Sequence, residues 1–149
     1  IGCGNGTDAL EIALQALEVG KNDEVIVPAN SFIATAEAVK TNGANVVFCD
    51  IDADFYNIDV AKIEKLITKK TKAIIAVHLY GMPAKMEEIQ QLSKKYDIPV
   101  IEDSAEALGS KVNGQKCGTF GDFGVLSFNG NKIITTSGGG ALVSTQRIY

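Results

Sequence analysis

A chain of 149 residues is the size of one domain, and with 46% hydrophobic and 21% charged residues it can bury a core of ordinary globular composition. No apolar run approaches the length that crosses a bilayer, and a net charge of −4 with scattered lysines leaves no basic footprint for nucleic acid. Cys3, Cys49 and Cys117 are odd in number, far apart and form no C-x-x-C pair, so neither a disulfide framework nor a zinc site is suggested and a reducing cytoplasm is the natural compartment.

In chain order, Ile1-Gly2-Cys3-Gly4 reads as the last step of a strand whose beginning is missing, and Leu10, Ala13, Leu14 and Leu17 then fall on one helical face. Val25–Val27 is a strand. Ser31 is placed to cap a helix from Phe32 to Asn42, which Gly43 stops. Val46–Asp50 is the next strand, and Val60, Ile63, Leu66 and Ile67 share a helical face. Strand Ala73–Val77, a helical face of Met86, Ile89, Leu92 and Tyr96, and strand Val100–Asp103 follow. From Asn113 to Gly140 glycines crowd in and helical periodicity stops, apart from a strand at Val125–Phe128. Ala141–Ser144 is a last strand with little after it, so both ends read as cut from a longer chain. Short, near-continuous apolar strands alternating with amphipathic helices predict an α/β fold of one domain over residues 1–149, its sheet mostly parallel and covered on both faces.

Three stretches could carry chemistry. Gly2-x-Gly4-x-Gly6-Thr7-Asp8 leads straight into a helix, where free N–H groups and the positive end of the dipole make a phosphate cradle. Its spacing is that of neither a dinucleotide fingerprint nor a P-loop. Asp103 ends a buried parallel strand, the place where open α/β sheets bind ligands, and a carboxylate there can hold a proton on a ring nitrogen. Glu102 alternates to the other face and reads as structural. Ser127 ends a strand, and Lys132 follows in a tight loop flanked by Gly130 and Thr135 to Gly140, a setting for a lysine nucleophile or Schiff-base former. Phe32 is either core or a face for a planar ligand. His78, the single histidine, cannot make a metal site and reads as a satisfied half-buried imidazole. Lys69-Lys70 and Lys94-Lys95 read as solvated surface.

Five segments in order resemble the DegT/StrS-type sugar aminotransferases: Gly4-Asn5-Gly6-Thr7-Asp8-Ala9-Leu10, the run from Asp23 to Thr35, Val77-His78-Leu79-Tyr80-Gly81, Glu102 to Gly109, and Ser127 to Gly140. The resemblance covers nearly the whole chain. It implies the three-layer α/β/α large domain of the pyridoxal-phosphate-dependent fold type I enzymes, incomplete at both ends, without the N-terminal segment and the C-terminal small domain. By the same resemblance Lys132 forms a Schiff base with pyridoxal phosphate and later moves the substrate proton, and Asp103 pairs with the pyridine nitrogen. Phe32 stacks on the ring, and Ser127 holds the phosphate together with Gly6 and the N–H groups of Thr7 and Asp8. Glu106 stands near the phenolic oxygen where many members have glutamine, and a carboxylate there requires a proton on one of the two groups. The Ser127-to-Ile134 spelling resembles the branch that aminates nucleotide-linked 4-keto-6-deoxy sugars from glutamate for surface glycans, as homodimers with borrowed residues at each site.

Three alternatives stand beside this reading. A sister sugar dehydration in the family uses histidine in place of the lysine, which is present here. A nicotinamide-binding Rossmann domain with Asp50 as the ribose acid has the wrong glycine spacing and too long a separation. An inactive or regulatory relative is opposed by the intact set of Lys132, Asp103, Ser127 and Phe32.

Overall fold

The computed structural model describes residues 1–144. A short strand β1 (Gly2–Cys3) leads into helix α1 (Gly6–Ala16), which starts where it does because the Asn5 side chain accepts from the Asp8 amide at 2.9 Å. Strand β2 (Glu24–Pro28), helix α2 (Ala34–Thr41) and strand β3 (Asn45–Cys49) follow. Helix α3 (Val60–Leu66) is capped by Asp59, which accepts from the Ala61 amide at 3.0 Å. Then come β4 (Thr71–Val77), one 3-10 turn at Leu79–Gly81 and α4 (Met86–Tyr96). In α4, Glu87 and Glu88 sit in the first turn and Lys94 and Lys95 in the last, both complementing the helix dipole. The rest is β5 (Val100–Asp103), a small hairpin of β6 (Lys111–Val112) and β7 (Gln115–Lys116), then β8 (Phe123–Ser127) and β9 (Gly140–Val143).

Seven strands form one sheet in the order β1-β9-β8-β5-β4-β2-β3. From β3 to β8 every pairing is parallel, whereas β9 runs against both β8 and β1. Side-chain alternation divides the core in two. Ala73, Ile75, Ile101 and Val125 pack with Leu10, Ala13 and Leu14 of α1 and with Ala38 and Val39 of α2. Ile74, Ala76 and Val100 pack on the opposite face with Ile63 of α3 and Met86 and Ile89 of α4. The result is three layers, α/β/α, as expected. No helix among the described residues is long and apolar enough to cross a membrane.

Expected and observed strands agree to within about two residues at each end. One local expectation fails. Ser31 does not cap α2, whose first turn is preceded by Ile33 with no side-chain cap bond. The Ser31 hydroxyl lies instead 3.1 Å from the hydroxyl of Thr35, so the helix starts two residues later than the cap pattern suggested. Gly43 does end the helix with a left-handed φ of 82°.

Candidate active site

The carboxyl ends of β5 and β8 meet the amino end of α1 on the face that α1 and α2 cover. Because Ile101 and Val125 belong to that core, Asp103 and Ser127, two residues further along each strand, project to the same side. The α1 terminus is pressed against them. A Cβ on Gly6 would stand 2.9 Å from the Ser127 Cβ, and a Cβ on Gly140 in β9 would run into the Asn5 carbonyl. Only glycine at these two positions lets a helix start and two strand ends share one point.

Gly6, Thr7, Ser31, Phe32, Asp103, Glu106, Ser127 and Lys132 line one cleft with about 520 Å³ of free space open to solvent. Asp8 is the expected residue that does not line it: its amide is spent on capping the helix through Asn5. The amides of Gly6 and Thr7, the cleft-lining residues in the first turn of α1, have no partner inside a helix.

Asp103 is 7% exposed. Its Oδ1 accepts from the Ala105 amide at 3.1 Å and its Oδ2 from the Thr35 hydroxyl at 2.9 Å. Burial pushes its carboxyl above the ordinary carboxylate range, against the two hydrogen bonds and the charge of Lys132. Among the described residues no cation lies within ion-pairing distance of it. Lys132 is largely covered, at 14% side-chain exposure, and its Nζ lies 3.6 Å from Glu106 Oε1. Glu106 Oε2 accepts from the amide of Tyr80, which is held at a left-handed φ of 51° and is 87% exposed. Phe32 is also mostly exposed, at 68%, with its ring at the cleft rather than in the core.

Behind the sheet, Glu102 is fully buried, as its alternation to the other face implied. Its Oε1 accepts from the amides of Phe120 and Gly121, both at 2.6 Å, and its Oε2 from the Gly118 amide at 2.8 Å and from His78 Nε2 at 3.0 Å. His78 is fully buried rather than half-buried. The Ala84 amide donates to its Nδ1 at 3.0 Å, which leaves Nε2 to carry the proton that Glu102 accepts. The expected surface lysines are at the surface, Lys95 paired with Glu64 at 2.5 Å. Thr35 and Ser31 are the members of the site that sequence reasoning missed. Both lay inside a quoted motif, yet nothing local says that a helix hydroxyl meets a carboxylate 68 residues away.

The donor set fits pyridoxal phosphate. A buried carboxylate with no cation beside it suits a pyridinium N–H, a shielded lysine suits a carbonyl carbon, and a helix start beside a serine suits a phosphate. A dinucleotide does not fit. The glycine-rich loop follows β1 and Asp50 follows β3, at opposite edges of the sheet, and Asp50 is paired with Lys62 at 2.7 Å.

Known proteins agree. The chain is 54% identical over 145 residues to a UDP-N-acetyl-3-dehydro-alpha-D-glucosamine 3-aminotransferase of Acidithiobacillus ferrooxidans, covering 97% of this chain and 39% of that one. It is 50% identical over 143 residues to a GDP-perosamine synthase of Escherichia coli O157:H7, covering 96% and 39%. The crystal structure of an aminotransferase from Psychrobacter cryohalolentis superposes with a TM-score of 0.96 at 44% identity, covering 98% of this chain and 37% of that one. The chain thus spans about two fifths of the length of these relatives. With residues 1–148 matched by its model, the chain belongs to the DegT/DnrJ/EryC1/StrS aminotransferase family.

Proposed function

We propose that this chain is the cofactor-binding part of a pyridoxal-phosphate-dependent aminotransferase that moves an amino group from an amino acid, glutamate first among the candidates, to a nucleotide-linked keto sugar. The observation that carries the reading is the convergence of Lys132, an unpaired buried Asp103 and the Gly6–Ser127 cradle on one cleft. Pyridoxal phosphate supplies, when bound, an electron-withdrawing ring that stabilises negative charge on the substrate carbon. Asp103 keeps the ring nitrogen protonated. Ser127 and the first-turn amides of α1 anchor the phosphate, and Phe32 covers the ring face. Lys132 would hold the cofactor through Nζ, and the same amine, when free, would move a proton to and from the substrate carbon. Glu106, 3.6 Å from Lys132 Nζ and bonded by the Tyr80 amide, would stand beside the phenolic oxygen of the bound cofactor.

The relatives' names include both a 3-dehydro sugar aminotransferase and a perosamine synthase. The 4-keto-6-deoxy sugars are the first substrates to test and the 3-keto sugars the second. The same reading places the enzyme in the cytoplasm as a homodimer that serves surface-glycan synthesis.

The direct test is incubation with pyridoxal phosphate, borohydride reduction and peptide mapping. A phosphopyridoxyl group on Lys132, absent from Lys132→Ala, is the expected result. No specific label at Lys132 overturns the proposal. Label without turnover of any keto sugar nucleotide would leave the cofactor assignment and remove the sugar.

A further inference from the structure

The buried carboxylate of the site is held by a chain of two hydroxyl groups. Thr35 is 1% exposed and sits in the first turn of α2, and its Oγ1 is 2.9 Å from Asp103 Oδ2 and 3.1 Å from the Ser31 hydroxyl. An ionised carboxylate only accepts, so the single Thr35 proton goes to Asp103. The proton between the two hydroxyls then belongs to Ser31. The chain therefore runs one way, Ser31 to Thr35 to Asp103, and each link polarises the next.

We infer that Thr35 is a positioning residue for Asp103, and that Ser31 is the second link that orients the Thr35 hydroxyl. The Ala105 amide grips Oδ1 and Thr35 grips Oδ2, so the carboxylate cannot swing about its χ2 and its remaining lone pairs stay turned to the cleft that Asp103 lines. Without Thr35 one oxygen is free, and the carboxylate rotates away from an ideal line to a ring nitrogen. The substituents are small, but the site is dry and charged, where a hydrogen bond to an ion counts for more than at the surface. A bulky neighbour would hold Asp103 by packing alone. The hydroxyl does so while also accepting or donating as the charge of Asp103 changes.

This inference rests on the cofactor reading above, and the test separates the two. Thr35→Val keeps the shape and removes the hydroxyl, Thr35→Ser keeps the hydroxyl, and Ser31→Ala removes only the second link. Pyridoxal phosphate affinity is measured by absorbance titration, and the protonation of its ring nitrogen by 15N chemical shift of labelled cofactor. Thr35→Val is expected to weaken binding roughly tenfold or more and to move the ring-nitrogen shift toward the unprotonated value, with Thr35→Ser restoring both and Ser31→Ala in between. A merely structural role would lower the melting temperature and leave the nitrogen shift of the bound cofactor in place. Should Thr35→Val fail to fold, Ser31→Ala carries the same nitrogen-shift readout. An unchanged shift in every folded variant overturns the Thr35 assignment alone. Failure of the unaltered protein to bind the cofactor overturns the functional reading and this inference with it.

Discussion

Two adjacent carboxylates, Glu102 and Asp103, should respond oppositely to the same change from carboxylate to amide. In Glu102→Gln an NH₂ group replaces one carboxylate oxygen. It must face either the Phe120 and Gly121 amides or the Gly118 amide and His78 Nε2–H, and all four are donors. His78 cannot turn acceptor at Nε2, because its Nδ1 would then carry a proton against the Ala84 amide. Two buried donors lose their acceptor at about 1–3 kcal/mol each, so the expected loss is roughly 2–6 kcal/mol. That is a large part of the roughly 5–15 kcal/mol typical of a folded domain. In Asp103→Asn nothing is stranded. The Ala105 amide keeps its acceptor at Oδ1, the new NH₂ donates to Thr35, and the Thr35 proton turns to Ser31. The charge that burial disfavours is gone as well. Without cofactor, Asp103→Asn is therefore expected to be as stable as the unaltered protein or more so, within about 1 kcal/mol. Urea unfolding of the three proteins at pH 7 without cofactor measures this. Similar losses in both variants, or a Glu102→Gln loss below about 1 kcal/mol, would refute the hydrogen-bond accounting.

Further expectations follow from the same geometry. Burial raises the Glu102 carboxyl, but the bonds from His78, Gly121 and Gly118 outweigh it and hold the folded-state pKa below its ordinary 4.5. The stability it contributes is fully present above that value and is lost as pH falls through the lowered folded-state pKa. The gap in unfolding midpoint between the unaltered protein and Glu102→Gln should thus close on acidification below about pH 4.5; a gap that stays constant would be evidence against the depressed carboxyl. Gly6→Ala forces a Cβ to 2.9 Å from the Ser127 Cβ, closer than the roughly 3.5–4.0 Å of an ordinary carbon contact, so the cradle must open. Cofactor titration should show a loss of about tenfold or more in Gly6→Ala, and none in Gly2→Ala, where nothing lies within 4 Å. Equal affinities in the two variants would remove Gly6 from the cradle.

Most of the architecture was legible because it is written in local periods. Strand Val100–Asp103 is observed as read, and the stripe Leu10, Ala13, Leu14 is the buried face of α1. The alternation along β5 already separated Glu102 from Asp103. One local signal was passed over: Asn113-Gly114, between Val112 and Gln115, is the two-residue turn of the β6–β7 hairpin. Strand β1 was foreseen as a strand end, but its antiparallel partner β9, about 140 residues later, was not readable from either segment.

The sequence by itself determined that this is an α/β fold, which helix and strand faces turn to its core, and which motifs carry the family likeness. It named Lys132, Asp103, Ser127 and Gly6, because each stands at a strand end, a helix start or a glycine-rich loop that its own neighbours define. Only the tertiary structure decided what those residues touch. It bound the Asp8 amide to Asn5 away from the cleft lining, set the Ser31 hydroxyl beside Thr35 rather than at a helix cap, and buried His78 against Glu102. Each of these choices depends on a hydrogen-bond partner from another element of the fold or on competition for a single donor. A sequence states which donors and acceptors exist, and packing in three dimensions decides which of them pair.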